Sequence, residues 1–269
     1  MKRPIALVLV VLFVLGALLA GCGKQAAAPA TAPQGSVPSS TTPYVDQIKK
    51  AGVLTIGTSP DYPPFESLDP QNNVVGFDID LMNEVAKSLG VKVQIVQMGF
   101  DGLIAALQAK KFDVMAAGVS ITPERQQVVD FTTPYLVGKD ALVVNKDWTK
   151  PVTGLQDFAG FTIAAQIGTV QADAAKKVPN VKVKEYNLFT EAATAVASKQ
   201  ADAVYLNEAV GKAFVAANPN LKIAAELPAK DTAFAVRKDT PDLTQAINKA
   251  LDQMKQDGRF DALVAKWFK

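Results

Sequence analysis

The sequence predicts an α/β protein built on mostly parallel sheets, and three observations support this. Short apolar runs that read as strands alternate with amphipathic segments of helical spacing, as across residues 53–57, 74–89 and 91–96. Several of these runs open into loops rich in glycine, proline or hydroxyl side chains, and a helix start follows. An extended stretch at residues 129–144 separates one alternating series from another, so we expect the chain to leave a first sheet and build a second.

The N-terminus has the pattern of a secretory signal. A basic start, Met1-Lys2-Arg3, precedes an apolar run that ends in Leu-Ala-Gly-Cys at residues 19–22. This ending resembles a bacterial lipobox, which implies cleavage after residue 21 and lipidation of Cys22. A plain transmembrane anchor is the alternative, although the run falls short of the ~20 residues that a span needs. Residues 22–43 are poor in large apolar side chains and are predicted to be a flexible tether.

Composition excludes several classes of function. The chain has no histidine, so histidine triads and HExxH zinc sites are ruled out. Its formal net charge is +2 with basic residues scattered along it, which argues against nucleic-acid binding. No glycine-rich phosphate loop occurs, and we predict neither a cofactor nor a metal. Because Cys22 is the only cysteine, the exported domain is predicted to have no disulfide.

The segment GVSITPER, residues 118–125, is the strongest candidate for an anion site. It follows an apolar run and leads into a helix, with Thr122 as the predicted N-cap and Pro123 as the first helical residue. Arg125 can hold two carboxylate oxygens with its planar guanidinium, and Ser120 can donate to one of them. An ordinary helix start with a surface arginine is the alternative reading of the same residues.

Acidic residues are predicted to cap two other helices. Asp101 is the predicted cap of the helix that follows Phe100, and Asp78 and Asp80 suit the positive end of the helix dipole near residue 77. The apolar positions of this second helix have helical spacing: Ile79, Met82, Val85, Ala86 and Leu89.

Two other loops are candidates for walls of a pocket. The first, residues 58–66, contains three prolines and the aromatic side chains Tyr62 and Phe65. The second, QIGTVQ at residues 166–171, is a strand end, a glycine loop and a helix start that offers Thr169 and nearby N–H groups to an anion. Such loops at the carboxyl ends of strands are where open α/β sheets bind ligands.

Several motifs in one order resemble the family 3 extracytoplasmic solute-binding proteins, the polar amino-acid receptors of ABC importers. The motifs are GFDIDLMNEVAKSL (76–89), FDGLIAALQAKKFDV (100–114), SITPERQQVVDFTTPY (120–135), QIGTVQ (166–171), ADAVYLNEAV (201–210) and DGRFDALVAKWF (257–268). The resemblance implies a type II periplasmic-binding-protein fold with two lobes and two hinge strands. It implies lobe 1 at residues 44–137 and 234–269, lobe 2 at 142–229, and hinge segments at 138–141 and 230–233.

The resemblance also implies ligand-binding roles. Arg125 and Ser120 would bind the α-carboxylate of an amino acid with help from the backbone at Thr169 and Val170, and the Gly118 carbonyl would accept from the α-ammonium. The side chain of the ligand would lie between Tyr62 and Phe100. The positions that select the side chain would be Ser59, Glu66, Ala117 and Gln166.

Asn207 departs from the family pattern, because an acid at that position usually pairs with the ammonium. Asparagine can accept one hydrogen bond but is neutral. Either Glu208 or Glu66 supplies the charge, or affinity is weaker, or the ligand is a carboxylate that is not an α-amino acid. Ser59 also stands where binders of basic amino acids often carry aspartate, so polar neutral, basic and aromatic ligands all remain open.

The predicted function is high-affinity binding of an amino acid and its delivery to an ABC permease. The protein would be an extracytoplasmic, lipid-anchored monomer and not an enzyme. One alternative is an enzyme on the same scaffold, similar to the cyclohexadienyl dehydratases, with Glu208 or Glu66 as general acid. Another is a sensor domain, which would usually belong to a longer chain.

Overall fold

The framework consists of two five-stranded sheets and a small three-stranded sheet. The structure is a computed structural model that describes residues 43–268. The predicted signal, the tether and Cys22 lie outside the described residues. In chain order the strands are β1 Val53–Thr58, β2 Asp61–Tyr62, β3 Glu66–Leu68, β4 Val74–Val75, β5 Lys92–Gln97, β6 Val114–Met115, β7 Asp130–Phe131, β8 Lys139–Asn145, β9 Thr162–Gln166, β10 Lys182–Tyr186, β11 Ala203–Asn207, β12 Leu221–Pro228 and β13 Ala235–Val236.

Each large sheet contains one reversed strand. The first has the order β5–β1–β6–β13–β7, in which only β13 runs against the others. The second has the order β10–β9–β11–β8–β12, in which only β8 is reversed. The predicted α/β class is therefore confirmed. Four of the five strands in each large sheet run in the same direction, and each sheet contains both parallel and antiparallel strand pairs. We call the part built on the first sheet lobe 1 and the part built on the second sheet lobe 2.

Helices cover both large sheets. Lobe 1 carries α1 Tyr44–Ala51, α2 Phe77–Leu89, α3 Phe100–Gln108, α4 Pro123–Gln126, α8 Pro241–Gln256 and α9 Arg259–Trp267, and lobe 2 carries α5 Val170–Lys176, α6 Phe189–Ala197 and α7 Glu208–Ala217, with a short 3-10 helix at Leu155–Phe158. The C-terminal helices pack against α2 and α1, so the chain returns to lobe 1 after building lobe 2. Helix α2 buries four of its five predicted apolar positions, Ile79, Met82, Val85 and Ala86, and Leu89 is half-buried.

Two neighbouring segments connect the lobes. Thr232 donates its N–H to the carbonyl of Leu136 at 2.9 Å, and the carbonyl of Thr232 accepts from Tyr135 N at 3.0 Å. The predicted hinge at residues 138–141 differs from the structure, because β8 begins at Lys139 and pairs with β12 and β11 from its first residues. Residues 139–141 therefore belong to the second sheet. The other limits predicted for the lobes and hinge stay predictions.

Local predictions at the helix starts had different outcomes. Thr122 caps α4 as predicted, since its hydroxyl accepts from Arg125 N at 3.2 Å. The prediction that Asp101 caps α3 is wrong, because the helix begins at Phe100 after Gly99 without a side-chain cap.

The acids at the start of α2 were also predicted to be caps, and each makes a tertiary contact instead. Asp78 accepts from Gly118 N at 2.9 Å and from the Tyr135 hydroxyl at 2.7 Å. Asp80 accepts from Trp267 Nε1 and from Lys266 Nζ, both at 2.7 Å. Each acid therefore ties α2 to a distant part of lobe 1.

Candidate ligand-binding site

A narrow cavity with about 340 Å³ of empty space, open solvent included, lies where loops of lobe 1 meet loops of lobe 2. Eleven of the twelve predicted ligand-binding residues line it: Ser59, Tyr62, Glu66, Phe100, Ala117, Gly118, Ser120, Arg125, Gln166, Thr169 and Val170. Three residues that we did not predict line it as well: Asp61, Gln171 and Phe189.

Arg125 lies in the cavity wall without a charged partner. Its guanidinium donates to the carbonyl of Ser120 at 2.8 Å and, across the cleft, to the carbonyl of Gly168 at 3.1 Å. It also lies over the ring of Phe100, 5.5 Å from the centroid. Among the described residues Arg125 forms no ion pair, so its guanidinium has no carboxylate within ion-pair distance.

Burial changes both the pKa of Arg125 and the strength with which its guanidinium attracts an anion. It lowers the pKa of Arg125 from its usual value, and the more distant carboxylates of Asp173 and Glu124 partly oppose that shift. A guanidinium stays protonated at any physiological pH even so. A desolvated cation of this kind gains more from an anion than an exposed one does, because water screens the interaction less.

Of the two hydroxyl groups near Arg125, only one has a hydrogen-bond donor that is free to bind a ligand. The Thr169 hydroxyl is fully engaged, because it accepts from Ala172 N at 3.2 Å and donates to the Gln166 carbonyl at 2.7 Å as the cap of α5. The Ser120 hydroxyl has no partner within residues 43–268. Ser120 is thus the hydroxyl with a free donor beside Arg125.

Two acids line the cavity in the loop of residues 58–66. Asp61 accepts from the Ser59 hydroxyl at 2.8 Å, from Gln166 Nε2 at 3.0 Å and from Phe189 N at 2.6 Å. Burial raises the pKa of Asp61, and these hydrogen bonds oppose the shift. The last two donors belong to lobe 2, so this carboxylate bridges the cleft.

Glu66 is the second acid, and it is less well satisfied. It is only 1% exposed, and its Oε2 atom has no hydrogen-bond partner among the described residues. Burial, followed by the nearby charges of Asp78 and Asp61, raises the pKa of Glu66 well above its usual value. A buried polar atom without a partner is uncommon and calls for an explanation.

Aromatic rings form part of the wall. Tyr62 packs on Phe65 and on Phe189, with centroids 5.7 and 4.8 Å apart. Gly118 has a φ of +53°, and a Cβ there would lie 3.0 Å from the Tyr62 ring, so glycine suits this position on both counts. Tyr62 and Phe100 both line the cavity as predicted.

Asn207 is the one predicted ligand-binding residue that does not line this cavity. Its side-chain oxygen accepts from Ala209 N at 3.0 Å and caps α7, a position that asparagine favours. It instead borders a separate groove beside residues 136–139. Its backbone N–H still reaches the site indirectly, because it donates to the Tyr62 hydroxyl at 2.9 Å.

The two loops predicted to wall a pocket contain two of the three residues that were not predicted. Asp61 lies between the predicted Ser59 and Tyr62, and Gln171 ends the predicted QIGTVQ motif. Phe189 follows the strand β10 and begins α6, where an aromatic residue beside a strand end was a usable signal. Only the meeting of the two lobes assigns these three side chains to one cavity.

Comparison with known proteins identifies the family. The model of the bacterial extracellular solute-binding proteins, family 3, matches residues 54–269, and the chain belongs to that family. The probable histidine-binding protein of Campylobacter jejuni subsp. jejuni serotype O:2 is 34% identical over 217 residues, which cover 80% of this chain and 84% of that one. The arginine-binding extracellular protein ArtP of Bacillus subtilis strain 168 is 32% identical over 222 residues, 80% of this chain and 86% of its own.

Solved structures agree with the family and with the fold. A mutant of the arginine-binding protein ArgBP from T. maritima superposes with a TM-score of 0.81 at 43% identity, covering 83% of this chain and 98% of that one. The ancestral amino acid-binding protein AncCDT-1, a precursor of cyclohexadienyl dehydratase, gives 0.79 at 38% identity and covers 84% and 100%. The predicted type II binding-protein fold is confirmed. These relatives are binding proteins rather than enzymes, and the prediction that this chain is not an enzyme is confirmed.

Helices that could cross a bilayer are not found in the described part of the chain. No helix between residues 43 and 268 combines the necessary length with sufficient hydropathy. Within the same residues no group of three or more acidic side chains is arranged to hold a metal ion.

Proposed function

We propose that this protein binds an amino acid with a basic side chain in the cavity and delivers it to an ABC importer. The observation that carries the proposal is the charge pattern of the cavity. An unpaired guanidinium, Arg125, and two buried acids, Asp61 and Glu66, line the same small volume. A zwitterion that also carries a cationic side chain matches that pattern.

The carboxylate of the ligand would bind Arg125. Two donors of the guanidinium are directed at backbone carbonyls, and the remaining N–H groups are available for a carboxylate. The Ser120 hydroxyl would add a second donor on the lobe 1 side. Because Arg125 also contacts Gly168 of lobe 2, a carboxylate held there would interact with both lobes.

The cationic side chain would bind toward Glu66 and Asp61. The unpartnered Oε2 of Glu66 is a vacant acceptor when the group is ionised. A cation beside it would offset the desolvation that raises the pKa of Glu66 and would favour the charged form. The absence of an acid at Ser59 therefore does not remove the negative charge from this end of the cavity. Relatives named for arginine and histidine support a basic ligand.

Delivery and anchoring complete the proposal. Family membership and relatives named as ABC transporter proteins support delivery to a permease. The Leu-Ala-Gly-Cys sequence at residues 19–22 supports a lipid anchor on Cys22 outside the cytoplasm, with the binding domain as a monomer on its tether. Changing Cys22 to serine should move the protein from the membrane fraction to the soluble fraction, and an unchanged membrane fraction would contradict the anchor.

Calorimetric titration of ligand-stripped protein with the twenty amino acids tests the binding function. We expect the strongest binding with basic amino acids. Repeating the titration in buffers of different ionisation enthalpy should detect proton release for basic ligands only, because a bound cation favours ionised Glu66. Heat with none of the twenty would contradict the proposed function. Strong binding of a neutral amino acid without proton release would contradict the basic ligand alone.

A further inference from the structure

The ammonium group of an α-amino acid needs an acceptor that Asn207 does not supply. Asn207 is neutral, lies outside the cavity and uses its side-chain oxygen to cap α7. Gln171, in the first turn of α5, lines the cavity and is 6% exposed. Its amide can in principle present either a donor or an acceptor to a ligand. A neighbouring acid determines which end it presents.

That neighbour is Asp140, at the start of β8. Gln171 Nε2 donates to Asp140 Oδ1 at 3.0 Å. Asp140 is 4% exposed and lies directly opposite Asn207 in the antiparallel pairing of β8 with β11. An ionised carboxylate can only accept, so the amide must turn its NH₂ toward Asp140.

The orientation leaves the amide oxygen of Gln171 for the cavity. Within residues 43–268 no donor contacts this Oε1 atom, and it is not among the fully buried atoms without a partner. An oxygen whose amide donates to a carboxylate also becomes a stronger acceptor, because hydrogen bonds in a chain polarise one another. The geometry thus presents an acceptor, backed by a negative charge, to the ligand.

We infer that Asp140 is a positioning residue that fixes Gln171 as the acceptor for the α-ammonium of the ligand. This role rests on the proposed binding of an amino acid. The acid that sets selectivity for an ammonium then lies on β8, across the strand pair from Asn207. The charge of Asp140 also acts near the cavity, since burial and, after it, Asp140 raise the pKa of the Tyr62 hydroxyl.

The test compares two ligands that differ only in the α-amino group. L-arginine and 5-guanidinopentanoate are titrated into the wild type, Asp140→Asn and Gln171→Met, and the ratio of their dissociation constants is measured. In Asp140→Asn the new amide can donate to Gln171 Oε1, which turns the NH₂ of Gln171 toward the cavity. We expect the preference for L-arginine to fall about fivefold or more in both variants.

Asp113→Asn is the matched control, because Asp113 is a buried acid of lobe 1 that accepts from Tyr44 and Thr55 outside the cavity. Its ratio should equal that of the wild type even if its melting temperature falls. An unchanged ratio in folded Asp140→Asn or in Gln171→Met would overturn the inference and leave the proposed function standing. Failure of the wild type to bind L-arginine would overturn the proposed function and the inference with it.

Discussion

The carboxylate of Asp61 in lobe 1 accepts the backbone N–H of Phe189, the first residue of α6 in lobe 2, at 2.6 Å. The neighbouring Tyr62 hydroxyl accepts the N–H of Asn207, which caps α7 of the same lobe. Two adjacent side chains of β2 thus engage the starts of two helices across the cleft. An acid at a helix start is also favoured by the helix dipole. Contacts between protein groups therefore hold the lobes together alongside any contribution from a ligand.

Tyr62→Phe should weaken ligand binding by about three- to tenfold. The substitution keeps the ring against Phe189 but removes the acceptor for Asn207 N, and one such hydrogen bond contributes about 1 kcal/mol. Titration calorimetry measures the change. Tyr186→Phe is the matched control, because the Tyr186 hydroxyl is buried without a partner among the described residues. Equal effects of both substitutions would contradict a role for the Tyr62 hydroxyl between the lobes.

Arg125→Met should reduce affinity for any amino acid by at least about 100-fold. The variant keeps an unbranched, flexible side chain but loses the charge-assisted contact to the carboxylate. Arg259→Met removes an exposed arginine that pairs with Asp257 and Glu84 on the surface, and it should bind as the wild type does. A dissociation constant for Arg125→Met within about threefold of the wild type would show that the carboxylate binds at another place.

Glu66→Gln should reduce selectivity for a cationic side chain. L-arginine and L-citrulline differ mainly in the charge of the side chain, so the ratio of their dissociation constants measures the contribution of that charge to binding. We expect the preference for L-arginine to fall about tenfold or more, because the variant loses the acid with the unpartnered oxygen. Glu84→Gln on the exposed side of α2 should leave the ratio unchanged. A ratio equally unchanged in Glu66→Gln would place the selecting charge elsewhere, with Asp61 as the next candidate.

Stability should fall as pH rises from about 4 to about 7. Burial raises the pKa of Asp78 from 3.8 to about 7, while its hydrogen bonds to Gly118 and Tyr135 oppose the shift. Between these two values the unfolded chain loses the proton that the folded protein keeps, so the free energy of unfolding decreases with pH and levels off above about 7. The difference corresponds to at most about 4 kcal/mol for this group.

Urea denaturation at several pH values measures that decrease. Burial also raises the pKa values of Glu66, Asp61 and Asp140, so Asp78→Asn should flatten the profile only in part. Asp80→Asn is the matched control for the loss of a carboxylate from the same helix. A rise in stability over this range would contradict the assignment of Asp78 as a buried acid.

Local sequence patterns predicted which loops line the site, but they did not predict which residues of the two lobes contact each other there. The Thr122 cap, the proline loop and the QIGTVQ turn are each encoded by neighbouring residues, so their cavity-lining positions were found. The lobe 2 partners of Asp61 lie 105 and 128 residues away in the chain, and local patterns carry no information about them. The same reason explains Asp78, which was read as a helix cap although Gly118 and Tyr135 are its partners.

Asn207 illustrates a different limit. The family pattern has an acid at this position, where it would bind the ammonium of the ligand. Asparagine is strongly favoured as a helix N-cap, and Asn207 caps α7, the helix that follows β11. The acid of this region is Asp140 on the paired strand. A motif read along one strand cannot reveal a carboxylate contributed by the strand beside it.

The hydrogen bonds between Leu136 and Thr232 join the two connecting segments, so we expect that neither can bend without the other. A single axis of rotation would convert ligand occupancy into one well-defined distance change. Leu68 in lobe 1 and Leu188 in lobe 2 are both solvent-accessible, and the domain that follows Cys22 contains no other cysteine to compete for labelling. Fluorophores attached at these two positions would make the protein an optical sensor for its own ligand.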